Sequence, residues 1–202
     1  MVDTKQRILD TAERLFGEQG FGATSLRHVI AEAGVNIAAV HYHFGSKEEL
    51  LGAVVARKID PVNQQRLALL AEASGLEGIL EAFLRPALVM AAADPATCKM
   101  MGRLHAEGLM PMIARRHFQD LAARFLAALR GALPHLPDDE LNWRIHFLIG
   151  AMANALQRPP LYPGIEAGEK NDPELLLRRM VTFFSAAFRA PASQPGNVEM
   201  KQ

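Results

Sequence analysis

The segment AAVHYHFGSK, residues 38–47, sets three polar rings beside two alanines. Imidazole and phenol groups can transfer protons, bind metal ions, or hydrogen-bond to phosphates and base edges. His41 and His43 are two positions apart, so a helix would place them on different flanks, which disfavours a shared metal ion. The alanine methyl groups permit close approach to a flat surface and suit thymine methyl groups. The pattern favours contact with DNA over catalysis.

Enzyme signatures are incomplete in this chain. His105 and Glu107 match the H-x-E part of a zinc deaminase motif, but the P-C-x-x-C part is missing, because Cys98 is the single cysteine. The sequence contains no H-E-x-x-H, phosphate-binding loop or G-x-S-x-G motif. We therefore expect no enzyme, no catalytic residue, no metal site and no cofactor.

The bulk composition describes a globular chain without charge bias. Its 202 residues are 50% hydrophobic with a formal net charge of zero, enough for a substantial buried core. Residues 1–60 hold 7 Lys and Arg against 8 Asp and Glu, a local net charge of −1, which argues against non-specific binding to DNA. With no apolar run of membrane-spanning length and no export signal, we expect a cytoplasmic protein without a membrane partner.

Helical periodicity runs through the chain and predicts an all-α fold. Four helices are expected at about 5–16, 25–33, 37–44 and 46–59, with the last ending where Asp60-Pro61 resembles a new N-cap and N1 pair. Longer helices are expected at 61–73, 76–93, 96–109, 112–132, 139–157 and 173–189. The boundary near Asp60 divides an N-terminal module (1–60) from a larger domain (61–190), which precedes a disordered tail (191–202).

Helices 25–33 and 37–44 are joined by a short turn at Gly34, an arrangement typical of a helix-turn-helix. Its second helix would enter the major groove of DNA. A helical wheel turns three apolar side chains inward and presents an outer face of methyl groups and polar rings; the inner residues are Ile37, Val40 and Phe44, and the outer ones Ala38, Ala39 and Tyr42, flanked by His41 and His43. An ordinary helical corner with a solvated outer face is the alternative interpretation.

Helix starts add phosphate-binding N–H groups and partial positive charge to this outer face. The candidate DNA-binding residues are Thr24, Ser25, Asn36, Ala38, Ala39, His41, Tyr42, His43 and Lys47.

The run ILDTAERLFGEQGFGATSLRHVIAEAGVNIAAVHYHFGSKEELL, residues 8–51, resembles the DNA-binding domain of the TetR family of bacterial transcriptional regulators. The resemblance lies in A-x-x-L-F, G-F-x-x-T-S, I-A-x-A-G-V and Y-H-F-x-S-K-x-x-L. It implies a recognition helix at 36–44, a homodimer and a palindromic double-stranded operator. The family commonly has Tyr or Asn at His41 and a basic or small polar residue at Ile37, so phosphate contacts by Tyr42, Thr24 and Lys47 are expected more than direct base contacts.

Two wide apolar helices, 139–157 and 173–189, predict the dimer interface, because each exposes more apolar surface than one neighbour would cover. A monomer with deeply buried central helices is the alternative. Between them and the N-terminal module, a region rich in Met and Phe suits either an adaptable ligand pocket or plain core. The candidate effector-binding residues are Phe83, Met90, Met100, Met101, Arg103, Leu104, His105, Phe118 and Phe125.

The segments MMGRLHAEGLM and RFLAALRGALPHLPDDELNWRIHFLIGAMANAL are similar to the C-terminal domain of TetR regulators that respond to fatty acids or acyl thioesters. The similarity implies an anionic, mostly apolar effector, a fatty acid or its coenzyme A ester. We expect a repressor released from its operator when the effector shifts helix 46–59. An all-helical lipid carrier without a DNA role is the alternative function.

Overall fold

The computed structural model describes residues 3–157 and 172–193, which form ten α-helices and no strand. The helices are α1 Thr4–Gln19, α2 Leu26–Ala33, α3 Ile37–Phe44, α4 Lys47–Glu72, α5 Gly75–Ala93, α6 Pro95–Ala106, α7 Met110–His117, α8 Gln119–Ala132, α9 Asp138–Gln157 and α10 Pro173–Arg189. The predicted all-α fold is confirmed. Most of the predicted tail, 194–202, lies outside the described residues.

Local sequence explains the N-terminal helices. Ser25 caps α2 by accepting a hydrogen bond from the backbone N–H of His28 at 3.1 Å. Gly34 ends α2 with a φ of 60°, a left-handed conformation that glycine adopts without strain. The Asn36 side chain then caps α3. The turn between the two helices is therefore short and fixed at both ends.

Two packed cores organise the described residues. The first core is made by buried side chains of α1 to α4, together with Met100, Leu104 and Ile113 from α6 and α7. The second core is built chiefly by α5, α8, α9 and α10. Because α6 and α7 pack on the N-terminal helices, the two parts of the chain share an extensive contact.

The prediction that a helix ends near Ile59 is wrong, because α4 continues through Pro61 to Glu72. Proline removes one intrahelical hydrogen bond, and its ring crowds the preceding turn. Tertiary packing overrides this cost: Ile59 is buried in the first core, and Leu67 and Leu70 pack on the second. The helix is held on both sides of the proline.

The predicted helix 112–132 is also divided, into α7 and α8, at Phe118. Phe118 has φ −123° and ψ −2°, outside the helical range. Its side chain packs against both cores. A break at this residue lets the chain follow the first core and then the second.

Arg144 ties α9 to the end of α10. Its buried guanidinium donates hydrogen bonds of 2.7–3.0 Å to the carbonyls of Ala187, Phe188, Ala190 and Pro191. It also pairs with Glu140 at 2.6 Å. These bonds satisfy carbonyls that the end of a helix leaves without partners.

Replacing Arg144 with Met should lower the free energy of unfolding by about 2–4 kcal/mol, because several carbonyls and Glu140 lose a charged donor. Chemical denaturation followed by circular dichroism, at fixed protein concentration, measures the change. The control is Arg130→Met, which removes only an exposed pair with Asp138 and should cost less than about 0.5 kcal/mol. Equal stability of the two variants would contradict this role for Arg144.

Candidate nucleic-acid interface and ligand cavity

Helix α3 is anchored on one side and exposed on the other. Val40 and Phe44 are buried in the first core, at 0% and 8% exposure. Tyr42 on the opposite side is 86% exposed, and Ala38 and His41 are exposed beside it. The helix therefore presents an open face while its apolar side holds it in place.

Two positions on the predicted wheel differ from the structure. Ile37, expected to point inward, is 52% exposed at the start of α3, while Val35, which precedes the helix, packs on the first core. Ala39, expected on the outer face, is partly buried against that core. We define the recognition face as the exposed residues Ile37, Ala38, His41 and Tyr42.

The aromatic rings along α3 support one another. Tyr42 meets His43 edge to face with ring centroids 5.1 Å apart, and His43 lies 6.0 Å from the Phe44 ring. His43 is partly buried, whereas the His41 ring places Nδ1 3.1 Å from the carbonyl of Gly45. The His43 ring thus links the exposed ring of Tyr42 to the buried ring of Phe44 and restricts the motion of the Tyr42 side chain.

The structure corrects the role expected for Thr24. Its side chain is 1% exposed, and its hydroxyl donates to the carbonyl of Gly20 at 2.7 Å. The hydroxyl is thus inside the protein and unavailable to a phosphate, where it fixes the turn between α1 and α2. The motif identifies the segment correctly, but nothing in the sequence indicates that this hydroxyl has an internal acceptor.

Three other predicted residues have structural partners and remain at the surface. The oxygen atoms of Ser25 and Asn36 accept N–H groups of their own helices. Lys47, at the start of α4, places its ammonium 4.1 Å from the centre of the Phe21 ring, a cation–π contact. These residues fix the helix starts that border the recognition face.

Arg27 is a candidate phosphate-binding residue that the sequence reasoning missed. Of the seven Lys and Arg residues within 3–60, most contact carboxylates, carbonyls or a ring of the described residues. Arg27 is exposed in the first turn of α2 and has no ion pair or hydrogen bond within the described part of the chain. Arg27 differs from most of these cations only in its lack of a partner among the described residues, a property that depends on three-dimensional contacts.

Carboxylates and cations bridge the N-terminal helices to α6 and α7. The Glu107 carboxylate accepts the backbone N–H groups of Phe21 and Gly22 at 3.0 and 2.7 Å. Arg116 forms a two-pronged ion pair with Glu49, at 2.6 and 3.1 Å, and lowers the pKa of that carboxyl group. The position of α6 and α7 is thus coupled, through direct contacts, to the turn after α1 and to the start of α4.

A cavity of about 480 Å³ lies among α4 to α9 and is lined almost entirely by apolar side chains. This volume is within the range of small-molecule sites. Six of the predicted effector-binding residues line it: Phe83, Met90, Met101, His105, Phe118 and Phe125.

The other three predicted effector-binding residues do not line this cavity. Met100 and Leu104 are buried at 1% and 0% exposure in the first core, because the helical period turns them toward α1. Arg103 lines an adjoining pocket of about 540 Å³ together with Lys99. Apolar side chains on α6 are thus divided between the first core and the cavity.

Arg66 is a buried cation in the cavity wall that sequence reasoning also missed. It is 3% exposed, and burial lowers the pKa of its guanidinium to about 10. Nε donates to the carbonyl of Phe83 at 2.8 Å, and the group lies 4.6 Å from the centre of that residue's ring. Asn63 and the Met152 sulfur accept its remaining hydrogen bonds, at 3.2 and 3.5 Å. Nothing in the sequence around Arg66 indicates that its side chain is buried.

Two protein-family models match this sequence. Residues 8–54 match a family model described as bacterial regulatory proteins of the tetR family. Residues 81–187, more than half of the chain, match a model described as a tetracyclin repressor-like C-terminal domain. The chain belongs to the TetR family. It is therefore a DNA-binding transcriptional regulator, and its relatives are transcriptional regulators, a non-enzymatic class.

Individual proteins with similar sequences are also transcriptional regulators. An HTH-type transcriptional regulator of Mycobacterium bovis is 31% identical over 142 residues, which are 68% of this chain and 70% of that protein. The uncharacterized HTH-type transcriptional regulator YerO of Bacillus subtilis is 43% identical over 51 residues, 25% of this chain. Several curated relatives, YerO included, are matched over less than a third of their own length, 18% for YerO.

Solved structures support the fold. A TetR family transcription regulator from Marinobacter aquaeolei has a TM-score of 0.67 at 21% identity, covering 95% of this chain and 96% of that chain. At this identity the likeness shows the fold alone.

Helices α9 and α10 of this TetR-family chain expose large aromatic side chains. Trp143 and Phe147 are 60% and 59% exposed and stack 5.7 Å apart on α9, and Phe183 on α10 is 67% exposed. We call these three residues the aromatic patch. Large exposed apolar groups on neighbouring helices are typical of an interface. Within 3–157 and 172–193, no helix is long and apolar enough to cross a bilayer.

Proposed function

We propose that this TetR-family regulator is a repressor that binds a palindromic operator as a homodimer and releases it when a small apolar effector occupies the cavity. The observation that carries the DNA role is the recognition face on α3, where a Tyr42 that is 86% exposed lies opposite a buried apolar anchor. Eight residues at 1.5 Å per residue give a helix roughly 12 Å long, which suits the width of the major groove.

Tyr42 and Arg27 are proposed to bind phosphates, and Ala38 to meet base edges. A phenol hydroxyl and a guanidinium donate well to phosphate oxygens. The Ala38 methyl group leaves room for close approach and can contact a thymine methyl group. His41 is exposed on the same recognition face.

The cavity is proposed to hold the effector, since it is apolar and encloses a volume suited to a small molecule. Ile59 supports its coupling to DNA, because this α4 residue lies in the first core and also lines the cavity. An effector that displaces this wall would change the spacing of the two recognition helices. By linkage, operator and effector would then weaken each other's binding by the same factor.

A gel-shift experiment tests the DNA function against the alternative of a helical carrier. The full chain is mixed with duplex from upstream of its own reading frame, with a scrambled duplex of equal length and composition as competitor. A regulator of its own gene should keep the shift under excess scrambled competitor. Equal affinity for both duplexes would contradict sequence-specific binding and favour the alternative of a helical lipid carrier.

Variants of the recognition face should separate phosphate contacts from base contacts. Tyr42→Phe should weaken binding to every duplex by on the order of 1 kcal/mol, about fivefold. Arg27→Gln should reduce the slope of log affinity against log salt by about 0.9, one phosphate contact. Ala38→Ser should instead change which duplex is preferred. Fluorescence anisotropy at several salt concentrations measures all three.

The control for Arg27 is Arg14→Gln, which removes the same charge from an arginine already paired with Glu18 and Glu32. Its salt slope should match the wild-type slope. If Tyr42→Phe changed base preference while overall affinity stayed constant, the assigned roles would be reversed.

The dimer is proposed to form through the aromatic patch on α9 and α10. Phe183→Arg should raise the dimer dissociation constant at least about thirtyfold, because a charge would replace a buried aromatic contact. Leu69→Arg, a change at another exposed apolar residue on α4, is the control and should remain dimeric. Sedimentation velocity measures both. A Phe183→Arg variant that stays dimeric would place the interface elsewhere. A monomeric wild-type chain would refute the proposed homodimer.

A further inference from the structure

Arg66 introduces a positive charge into a cavity that otherwise lacks formal charge. No Asp or Glu is among the described residues that line the cavity, and the other polar residues of the lining, His105, Asn142 and Gln157, are exposed. No carboxylate of the described residues pairs with Arg66. A buried charge without a counter-ion is strongly unfavourable unless other groups compensate it.

The compensation present is partial. A guanidinium has five N–H donors, and Arg66 uses three of them, on one carbonyl, one amide oxygen and one sulfur. The sulfur is a weak acceptor. The contact with the Phe83 ring adds a cation–π attraction. Two N–H groups remain for an acceptor that the described residues do not supply.

We propose that the effector is a free carboxylic acid with an apolar chain, whose carboxylate binds Arg66 while the chain fills the cavity. A planar carboxylate matches the guanidinium and accepts two parallel hydrogen bonds. The surrounding wall, formed by residues such as Leu80, Leu121 and Phe125, suits the chain. This proposal rests on the proposed function, since it names the ligand class of the same cavity.

The burial of Arg66 narrows the class of ligand. A group that reaches a side chain exposed by only 3% must be compact, which fits a carboxylate and excludes the bulky head of a coenzyme A ester at this position. The neutral carbonyl of a thioester or ester, and the hydroxyl of an alcohol, would leave the positive charge uncompensated. An amine would add a second positive charge beside it.

The ligand also has a route to the helix-turn-helix side of the molecule. Arg66 donates to Asn63, and Asn63 donates to the carbonyl of His117 at 2.8 Å. His117 is the last residue of α7, and its neighbour Arg116 pairs with Glu49 at the start of α4. A carboxylate that draws Arg66 away from Asn63 would loosen this chain of contacts.

Titration calorimetry on the full wild-type chain tests the ligand class. The probes are octanoate, laurate and palmitate, each with the alcohol and the amine of the same chain length, below their critical micelle concentrations. At least one acid should bind tenfold or more tightly than its alcohol, and every amine should bind most weakly. Equal affinity of acids and alcohols, or no binding of any acid, would overturn the proposal without any variant being needed.

Two variants locate the head group. Arg66→Met should lower affinity for the favoured acid at least thirtyfold and keep or improve affinity for the matched alcohol, which also shows that the cavity is intact. Arg66→Lys should keep a preference for the acid, weakened because an ammonium lacks the two-pronged geometry. Retention of full acid preference in Arg66→Met would place the carboxylate elsewhere and refute the proposal.

Operator affinity, measured in parallel, separates this proposal from the proposed function. An acid that binds through Arg66 but leaves operator affinity unchanged would support the ligand class and contradict release by the effector. If an apolar compound without a carboxylate released the operator, and the cavity showed no preference for acids, release by an effector would be supported and the ligand class would be contradicted.

Discussion

Helix α4 joins the two cores and holds the helix-turn-helix and the cavity in a fixed relation. Its 26 residues form one rod, roughly 39 Å long, that belongs to both cores. Leu50 and Val54 are buried beneath the helix-turn-helix, whereas Val62 and Arg66 line the cavity two turns and more further along. Close-packed interiors have low compressibility and transmit strain. The cavity wall therefore cannot be displaced far without moving the support of the DNA-binding helices.

A second connection, through Glu107, controls the same helices from the other side. Its carboxylate binds two backbone N–H groups at the turn after α1 and fits closely against Gly20. A side chain at Gly20, which has a φ of +90°, would bring its Cβ into collision with a Glu107 oxygen. The glycines after α1 thus do more than end a helix, since they admit a carboxylate from α6 to the backbone. With α4, this contact holds the helix-turn-helix at two separate points.

Local signals in the sequence were sufficient for the small N-terminal helices. Ser25, Gly34 and Asn36 determine where α2 ends and α3 begins, and these interactions involve residues a few positions apart. Features set by tertiary contacts could not be predicted in this way. Pro61 resembles a helix start in the sequence, because the packing that carries α4 past it comes from distant residues. The buried hydroxyl of Thr24 cannot be predicted locally, since its role depends on the carbonyl of Gly20. The role of Arg66 cannot be predicted locally either, since it depends on the lack of a carboxylate partner among the described residues.

We propose that the exposed sides of α3 in two copies of the chain bind one duplex. Hydroxyl-radical footprinting of the full chain, on a duplex that it shifts specifically, tests this arrangement. We expect two protected windows on one face of the duplex, separated by about 10–10.5 bp or a multiple of that spacing. Both windows should be lost when Ala38 is replaced by Glu. A single window, no protection, or a footprint that survives Ala38→Glu would refute the arrangement.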